Sequence, residues 1–325
     1  MRIQVIGGGS WGLALTRLLA LNGHDVRLWC RQEDDPETLR TSRESKRYLP
    51  GVYLPETVAI ASTVDPDVAM VVYAVPSHAM RAVVPAFAFT GNPVRVSVAK
   101  GIENETLLRM SEIIEHLAPG AAVVALSGPS HAEEVGRGLP ASVVAAGADA
   151  DARNAVQKAF FSAGFRVYTS PDIVGVELGG SLKNVVAIAA GVCDGLGLGD
   201  NAKSALITRG LAEMARLGVA CGADPLTFAG LSGMGDLITT CTSRHSRNRA
   251  VGEAIASGKS LDEIISGSPM VAEGVRTTQS AVALAQRMAV DMPLTEAVHQ
   301  VLFEELSPGA AIEALMAREA KPEWA

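Results

Sequence analysis

The chain has 325 residues, of which 48% are apolar, and it carries 28 Lys and Arg residues against 35 Asp and Glu residues. This composition can form packed cores and excludes a disordered chain, and the length favours two domains. The net charge of −7 and the lack of a basic run argue against a nucleic-acid partner. No stretch reaches the roughly 18 uninterrupted apolar residues of a membrane span.

Cysteine usage and the start of the chain both bear on location. No basic and apolar leader precedes the first predicted strand, which argues against a signal peptide. The four cysteines, Cys30, Cys193, Cys221 and Cys241, form no CxxC pair. We therefore expect reduced thiols rather than disulfides or zinc sites, and a cytoplasmic protein.

The first half of the chain alternates strand and helix patterns. Short apolar runs that end at Gly, Pro or Ser predict strands at 3–6, 26–29, 69–75, 94–98 and 123–126. Helical spacing over 11–21 follows the first strand, and two further strands are expected at 142–146 and 165–168, near the sheet edge. Alternating strands and helices predict a mostly parallel sheet covered on both faces.

The second half reads as helices without strand-like alternation. The predicted helices span 177–193, 201–220, 224–230, 247–257, 261–266, 273–289, 294–303 and 309–317. We place a domain boundary near residue 175, which divides the chain into an α/β domain over 1–175 and an all-α domain over 176–325.

A glycine motif joins the first strand to the first helix. Gly7, Gly9 and Gly12 match G-x-G-x-x-G in a strand–turn–helix context. Such glycines allow a tight turn, a close approach of the backbone to a pyrophosphate and close packing of helix on strand. The start of the helix adds N–H groups and a positive dipole end. The motif predicts a Rossmann-like domain with a dinucleotide site, the alternative being a tight turn without a ligand.

The end of the second strand bears on the choice of cofactor. NAD-binding folds place Asp or Glu about 20 residues after the glycines, where this chain has Cys30 followed by Arg31. A guanidinium suits a 2′-phosphate, which favours NADP(H). Glu33 and Asp34 follow closely, so NAD(H) stays open, and Arg31 can also be an ordinary surface residue.

The positions of two lysines in the sequence suggest that each has a functional role. Lys100 follows the strand at 94–98, at the edge where parallel sheets bind ligands. Lys183 is the only charged residue between 178 and 193, in a helix that has small residues where a polar face would be. A lysine in a cleft can protonate a carbonyl oxygen as hydride reaches the carbon, and Asn184 can add a hydrogen bond. The alternatives are a surface Lys100 and a Lys183 that extends to solvent.

Two turns resemble anion-binding sites. The first contains Gly128 and Ser130, and Ser130 with Glu133 fits a capping box that opens a helix. In the second, Ser246 can cap a helix whose first amides, at Arg247 and Asn248, would face a bound anion. The sequence therefore predicts a phosphate site at the second turn, and the alternatives are a plain cap and a solvated basic helix end.

A glycine-rich turn over 231–237 delivers Asp236, which can pair with Lys183 and orient it. The six histidines show no metal-binding spacing, so we expect no metal. His131 and His245 lie near the predicted sites and are expected to be structural.

Taken together, these segments resemble the bacterial NAD(P)-dependent sn-glycerol-3-phosphate dehydrogenases over nearly the whole chain. The resemblance rests on the segments 7–12, 97–101, 126–134, 165–168, 174–184, 201–217, 233–241, 246–248 and 271–277. It implies a Rossmann-like domain and a helical substrate domain, often as a homodimer. It also implies reversible conversion of glycerol 3-phosphate to dihydroxyacetone phosphate, which feeds phospholipid synthesis in the cytoplasm.

The resemblance also implies roles for individual residues. Lys183 matches the catalytic lysine, and we group Lys100 and Asp236 with it as catalytic. The substrate-contacting positions are Lys100, Gly128, Ser130, Asp236, Ser246, Arg247 and Asn248. The cofactor-contacting positions are Ser10, Trp11, Arg31, Tyr48, Lys100, Ala132, Arg247, Val271 and Glu273. The departures are Gly8 for a common Ala, Ala272 for a usual Val and Ser181 for a usual Ala.

Two other functions fit the same motifs. One is a two-domain reductase of a 3-hydroxy acid or of ketopantoate type, whose substrate carries a carboxylate. The other is a protein that binds the cofactor as a sensor without catalysis.

Overall fold

The computed structural model describes residues 1–267, 272–320 and 322–323. Within these residues, eight strands form one sheet in the order β3-β2-β1-β4-β5-β6-β7-β8. The strands are β1 (Arg2–Ile6), β2 (Asp25–Trp29), β3 (Ala59–Ala61), β4 (Met70–Tyr73), β5 (Val94–Ser97), β6 (Val123–Ser127), β7 (Ala141–Ala146) and β8 (Phe165–Ser170). Neighbouring strands are parallel except β6 and β7.

Helices cover this sheet and continue beyond it. Those associated with the sheet are α1 (Ser10–Leu21), α2 (Pro36–Ser42), α3 (Met80–Val83), α4 (Met110–Leu117), α5 (Ala132–Gly136) and α6 (Ala150–Phe160). The others are α7 (Ile173–Gly195), α8 (Gly199–Ala220), α9 (Pro225–Ala229), α10 (Asp236–Thr242), α11 (Arg247–Ala256), α12 (Leu261–Ser266), α13 (Glu273–Met288), α14 (Pro293–Phe303) and α15 (Pro308–Met316). A π-helical turn, Leu231–Gly235, leads directly into α10.

The sheet is buried on both faces because its central strands are almost continuously apolar. Along β1, Val5 belongs to the hydrophobic cluster that contains α1, and the next residue, Ile6, belongs to the cluster on the opposite face, which contains α4. The chain runs outward from β1 through β2 to β3 and returns to β4 on the other side of β1. Ligands of open parallel sheets bind at such a reversal, beyond the carboxyl ends of the strands.

The predicted mostly parallel sheet is confirmed, with two differences. Strand β3 was not predicted, because three residues are too few to show a period. Helix α10, which follows the glycine-rich turn with only seven residues, was not predicted either. The predicted boundary near residue 175 falls in the first turn of α7, and the division into domains over 1–175 and 176–325 stays a prediction.

Helix α7 is the central element of the second half. It is buried along most of its 23 residues and packs against α8, α10, α11 and α13. A helix that is apolar on all sides must be buried, and neighbouring helices surround α7 accordingly. By length and composition this one helix among the described residues could span a membrane, but 89% of its most apolar window is buried inside the protein, which makes it weak evidence for a span.

Close crossing of α7 and α11 depends on two glycines. A Cβ added to Gly191 would overlap the carbonyl oxygen of Arg249, and one added to Gly252 would overlap the carbonyl oxygen of Ile188. Backbone therefore packs on backbone at this crossing. The crossing holds the start of α11 beside the part of α7 that carries Lys183.

Candidate active site

A cavity of about 370 Å³ lies beyond the carboxyl ends of β1 and β4. It brings together most of the residues that the sequence singled out. Those lining it are Gly7, Gly9, Ser10, Trp11, Arg31, Tyr48, Lys100, Ser130, Ala132, Lys183, Asn184, Asp236, Ser246, Arg247, Asn248 and Glu273. Gly12 and Gly128 lie outside the lining, and Val271 lies outside the described residues.

The glycine turn at one end of the cavity suits a dinucleotide. Gly7 has a φ of 123°, a conformation that favours glycine. Gly9 precedes α1, and a Cβ built on it meets no atom within 4 Å, so ligand atoms have room to approach the backbone there. Gly12 packs against the carbonyl of Gly7, which explains why it does not face the cavity. The residues present therefore fit the pyrophosphate of a bound NAD(P).

At the same end of the cavity, Arg31 and Tyr48 both contact Asp34. The Arg31 side chain is 62% exposed and its Nη2 lies 3.0 Å from Asp34 Oδ1. The Tyr48 hydroxyl donates to the same oxygen at 3.0 Å. Ser10 Oγ donates to the carbonyl of Tyr48 at 2.6 Å, which ties this loop to the start of α1.

Lys183, Asp236 and Lys100 form a buried cluster at the other end. Lys183 is 5% exposed and Asp236 is 2% exposed. The Lys183 ammonium pairs with Asp236 Oδ1, as the sequence suggested, and donates to Thr240 Oγ1 at 2.7 Å. Lys100 Nζ lies 2.6 Å from Asp236 Oδ2 and 3.2 Å from the Gly128 carbonyl oxygen. Two ammonium groups therefore share one carboxylate.

This cluster shifts the proton affinity of its members. Burial lowers the pKa of Lys183, the attraction of Asp236 opposes this, and the nearby charge of Lys100 adds to the lowering, so that the pKa lies at about 7. Burial alone would raise the pKa of Asp236, but Lys100 and Lys183 outweigh it and hold that pKa below its usual value. The arrangement suits a carboxylate that stays charged beside a lysine that exchanges a proton near neutrality.

The predicted phosphate site lies at the start of α11. Ser246 is the N-cap of this helix, and its Oγ accepts from the Arg249 backbone N–H at 3.2 Å. The Asn248 side chain is used within the protein, since its Nδ2 donates to Asn184 Oδ1 and its Oδ1 accepts from the Gly274 N–H, both at 2.9 Å. These two bonds fix the helix start relative to α7 and α13.

The turn at Gly128 and Ser130 differs from the expected capping box. Helix α5 begins at Ala132 with His131 as its N-cap, and no side chain caps it. Ser130 Oγ donates instead to the Gly128 carbonyl at 2.9 Å. The expectation was wrong because the helix begins one residue later than a capping Ser130 requires. Gly128 acts through this carbonyl, which also accepts from Lys100.

Two sequence models of one protein family match the chain. The N-terminal model of NAD-dependent glycerol-3-phosphate dehydrogenase matches residues 2–153, and the C-terminal model matches residues 172–313. The chain belongs to the NAD-dependent glycerol-3-phosphate dehydrogenase family.

Full-length relatives agree with this membership. The chain is 52% identical to a glycerol-3-phosphate dehydrogenase [NAD(P)+] of Pelotomaculum thermopropionicum, over 98% of this chain and 93% of the relative. It is 49% identical to the same enzyme of Chlorobium luteolum, over 99% of both. A crystal structure of glycerol-3-phosphate dehydrogenase from Coxiella burnetii superposes with a TM-score of 0.92 at 37% identity, covering 98% of this chain and 99% of that one.

Family membership confirms the expected Rossmann-like and helical fold class, the oxidoreductase class and an NAD(P) cofactor. It favours a glycerol-3-phosphate dehydrogenase over a reductase of a carboxylate substrate and over a sensor. The roles of individual site residues, the homodimer and the cytoplasmic location stay predictions.

Residues of this family member that sequence analysis missed are partners of the predicted ones. Thr240 contacts Lys183 and lies one helical turn after Asp236, a spacing that could have suggested it. Ser77 donates to the Glu273 carboxylate through both its N–H, at 3.1 Å, and its hydroxyl. No sequence signal connects Ser77 to Glu273, since 196 residues separate them.

Proposed function

We propose that the chain interconverts sn-glycerol 3-phosphate and dihydroxyacetone phosphate with NAD(P)(H) and supplies glycerol 3-phosphate for phospholipid synthesis. The observation that carries this proposal is the position of Lys183. Its buried ammonium lines a cavity that also holds the glycine turn and the start of α11. A group that moves a proton, a cofactor cradle and an anion site therefore face one space.

The cofactor would lie along the glycine turn, with its pyrophosphate at Gly9 and the start of α1. When bound, its reduced nicotinamide supplies a hydride to the ketone carbon of dihydroxyacetone phosphate. Trp11, Ala132 and Glu273 also line the cavity and are proposed to contact the cofactor.

Lys183 is proposed to donate the proton to the ketone oxygen during reduction and to accept it during oxidation. Asp236 holds the Lys183 ammonium in place, and Thr240 fixes it from a second side. Lys100 is proposed to contact the substrate oxygen and to keep Asp236 ionised. A lysine pKa near the working pH is what efficient proton transfer requires, and burial places that of Lys183 at about 7.

The substrate phosphate is proposed to bind at the start of α11. Ser246, Arg247 and Asn248 form this helix start, where backbone N–H groups and the helix dipole favour an anion. Arg247 lines the cavity, and a guanidinium is able to contact two phosphate oxygens. Gly128, Ser130 and Asn184 are proposed to complete the substrate site.

Replacement of Lys183 by Ala tests the proposal directly. We expect turnover to fall by roughly 10²- to 10⁴-fold, the contribution of a positioned general acid. Equilibrium binding of NADH, measured by calorimetry, should change little. Lys158→Ala, an exposed lysine on α6, is the matched control and should keep full activity. Near-normal turnover in the Lys183 variant would remove this lysine from the mechanism.

Two simple assays separate the alternative functions. A sensor would show no loss of near-ultraviolet absorbance when the protein is mixed with NADPH and dihydroxyacetone phosphate. A reductase of a carboxylate substrate should be inhibited poorly by inorganic phosphate, whereas the proposed enzyme should be inhibited competitively. We also propose a cytoplasmic homodimer from the family resemblance, which light scattering and cell fractionation can test.

A further inference from the structure

The acid that usually holds the adenosine ribose is missing from its expected place in this chain. Strand β2 ends at Trp29, and the next residue is Cys30 rather than Asp or Glu. Cys30 is buried, and burial, with a smaller effect of Asp34, raises the pKa of its thiol to about 11. A buried neutral thiol cannot replace a carboxylate as an acceptor for two hydroxyl groups.

Asp34 brings a carboxylate to this place from further along the chain. The short helical turn Gln32–Asp34 folds back towards the glycine motif, and the Asp34 Cβ lies 3.6 Å from the position that a Cβ on Gly8 would occupy. Asp34 lines the cavity, and its side chain is 6% exposed. A carboxylate thus lies beside the glycine turn, at the end of the cavity away from Lys183.

The surroundings of Asp34 are rich in positive charge. Arg31 contacts it through Nη2 at 3.0 Å, through Nε at 3.4 Å and through its backbone N–H at 3.3 Å. Tyr48 donates its hydroxyl to it, and the Arg47 guanidinium lies 5.0 Å from the Tyr48 ring centroid. The Arg31 guanidinium, which the sequence assigned to a 2′-phosphate, is therefore engaged by a carboxylate.

We propose that the Asp34 carboxylate accepts a hydrogen bond from the 2′-hydroxyl of the adenosine ribose. We also propose that its pair with Arg31 sets the preference between NAD(H) and NADP(H). A 2′-phosphate bound there would face the Asp34 carboxylate, and like charges brought together disfavour binding. Arg31 already gives Nε and Nη2 to Asp34, which leaves fewer of its donors for a 2′-phosphate. This inference deepens the proposed function, since it rests on NAD(P) binding at the glycine turn.

The test is a comparison of cofactor affinities by calorimetry. Dissociation constants for NADH and NADPH are measured on the wild-type chain, on Asp34→Asn and on Glu33→Gln. In Asp34→Asn, we expect the ratio of the NADPH to the NADH constant to fall roughly tenfold, because a negative charge is removed and two arginines remain. Glu33 is the adjacent exposed acid, and its variant should keep the ratio within about twofold.

Fragments isolate the effect at the ribose. The ratio of the dissociation constants of adenosine 2′,5′-bisphosphate and AMP should fall in the same way. Both fragments lack the nicotinamide, so their binding is measured without turnover. An unchanged ratio in a folded Asp34→Asn chain would overturn the inference, and Asp34→Ser provides a second neutral variant if the first does not fold. Wild-type protein that binds neither NADH nor NADPH would contradict the proposed function instead.

Discussion

At the scale of single residues, the chemistry depends on a lysine that the fold keeps away from water. An ammonium group buried without a partner is unfavourable, so a lone lysine in an apolar helix requires an explanation. Asp236 and Thr240 provide that explanation for Lys183. The cluster does not fully restore an ordinary lysine, because burial still lowers the pKa of Lys183 to about 7.

The lowered pKa of Lys183 predicts opposite pH dependences for the two reaction directions. Reduction needs the protonated lysine, so its rate should fall as pH rises through about 7. Oxidation needs the neutral lysine, so its rate should rise over the same range. Initial rates at saturating substrate, measured in both directions from mildly acidic to alkaline pH, check this. Profiles that are flat or that move in the same direction would contradict it.

Lys100 should influence the same profile, because it shares the Asp236 carboxylate with Lys183. Its positive charge lowers the pKa of Lys183 and competes for Asp236, so Lys100→Met should shift the midpoint for reduction upward, by about one pH unit. The variant should also bind substrate more weakly if Lys100 contacts it. Lys158→Met is the control and should leave the midpoint in place. A midpoint that stays fixed or moves down would show that Lys100 does not tune Lys183.

Sequence reasoning could identify Lys183 but not the shared carboxylate. The signal for Lys183 was local, since it is the only charge in a long apolar helical pattern. The contact between Lys100 and Asp236 joins residues 136 positions apart, and only the folded chain brings them together. The pairing of Asp236 with Lys183 could be suggested because a buried ammonium needs an acidic partner, whereas nothing in the sequence indicated a second lysine on Asp236.

At the scale of elements, the site depends on how closely α11 approaches α7. The start of α11 forms the proposed phosphate site, and its middle crosses α7 at Gly191 and Gly252. A wider crossing would move Ser246 and Asn248 relative to Lys183. The glycines therefore determine the distance between the proton-transferring group and the anion site.

Gly252→Ala should destabilise the protein. The added methyl group would overlap the backbone oxygen of Ile188, which cannot move without displacing α7, and overpacking of this kind costs about 1–3 kcal/mol. Urea unfolding measures the loss, and the KM for dihydroxyacetone phosphate should rise as well. Gly309→Ala on α15 is the control, because a Cβ there meets no atom within 4 Å. Equal stabilities of the two variants would refute the close crossing.

Most elements were visible in the sequence because they are long and periodic. Helix α7 was predicted over 177–193 and spans Ile173–Gly195, and α12 was predicted at its observed bounds. The errors of prediction concern short elements and the ends of helices. Strand β3 has three residues, and at the start of α5 the Ser130 hydroxyl donates to the Gly128 carbonyl instead of capping the helix. The antiparallel pairing of β6 with β7 follows from chain direction, which side-chain periodicity does not report.

At the scale of the whole molecule, the helical part must be held against the sheet for the site to exist. The cofactor turn lies on the sheet, whereas Lys183 lies on α7. Glu177, six residues before Lys183 on the same helix, connects the two through α4. Its carboxylate accepts from the Ser111 N–H at 2.8 Å and from Arg109 Nη1 at 2.6 Å, and also from the Ser111 hydroxyl.

A second connection lies at the cavity itself. Glu273, at the start of α13, accepts two hydrogen bonds from Ser77, which follows β4. Glu273 and Glu177 therefore join helices of the second half of the chain to its first half at two places. Both acids lie near the starts of helices. From the sequence alone each is an acidic residue whose hydrogen-bond partner cannot be identified.

Glu177→Gln tests whether the connection through α4 positions Lys183. The carboxylate is buried, and neutralising it leaves the Arg109 guanidinium, among the described residues, with the partly exposed Glu112 as its remaining acidic partner. Breaking a buried ion pair in this way costs about 3–5 kcal/mol, and the remaining contact to Glu112 places the expected loss near the lower value. Urea unfolding measures it, with Glu115→Gln, an exposed acid on α4, as the control that should change stability by no more than about 0.5 kcal/mol.

The kinetic result separates positioning from stability alone. If Glu177 fixes α7 relative to the cofactor turn, the folded variant should lose kcat while its affinity for NADH, most of whose proposed contacts lie in the first half of the chain, stays nearly constant. Small displacements of reacting groups are costly, so a loss of about tenfold or more is expected. A variant that is less stable but keeps its kcat would show that Glu177 holds the molecule together without aligning Lys183. In that case, the alignment would rest on Asp236 and on the crossing with α11.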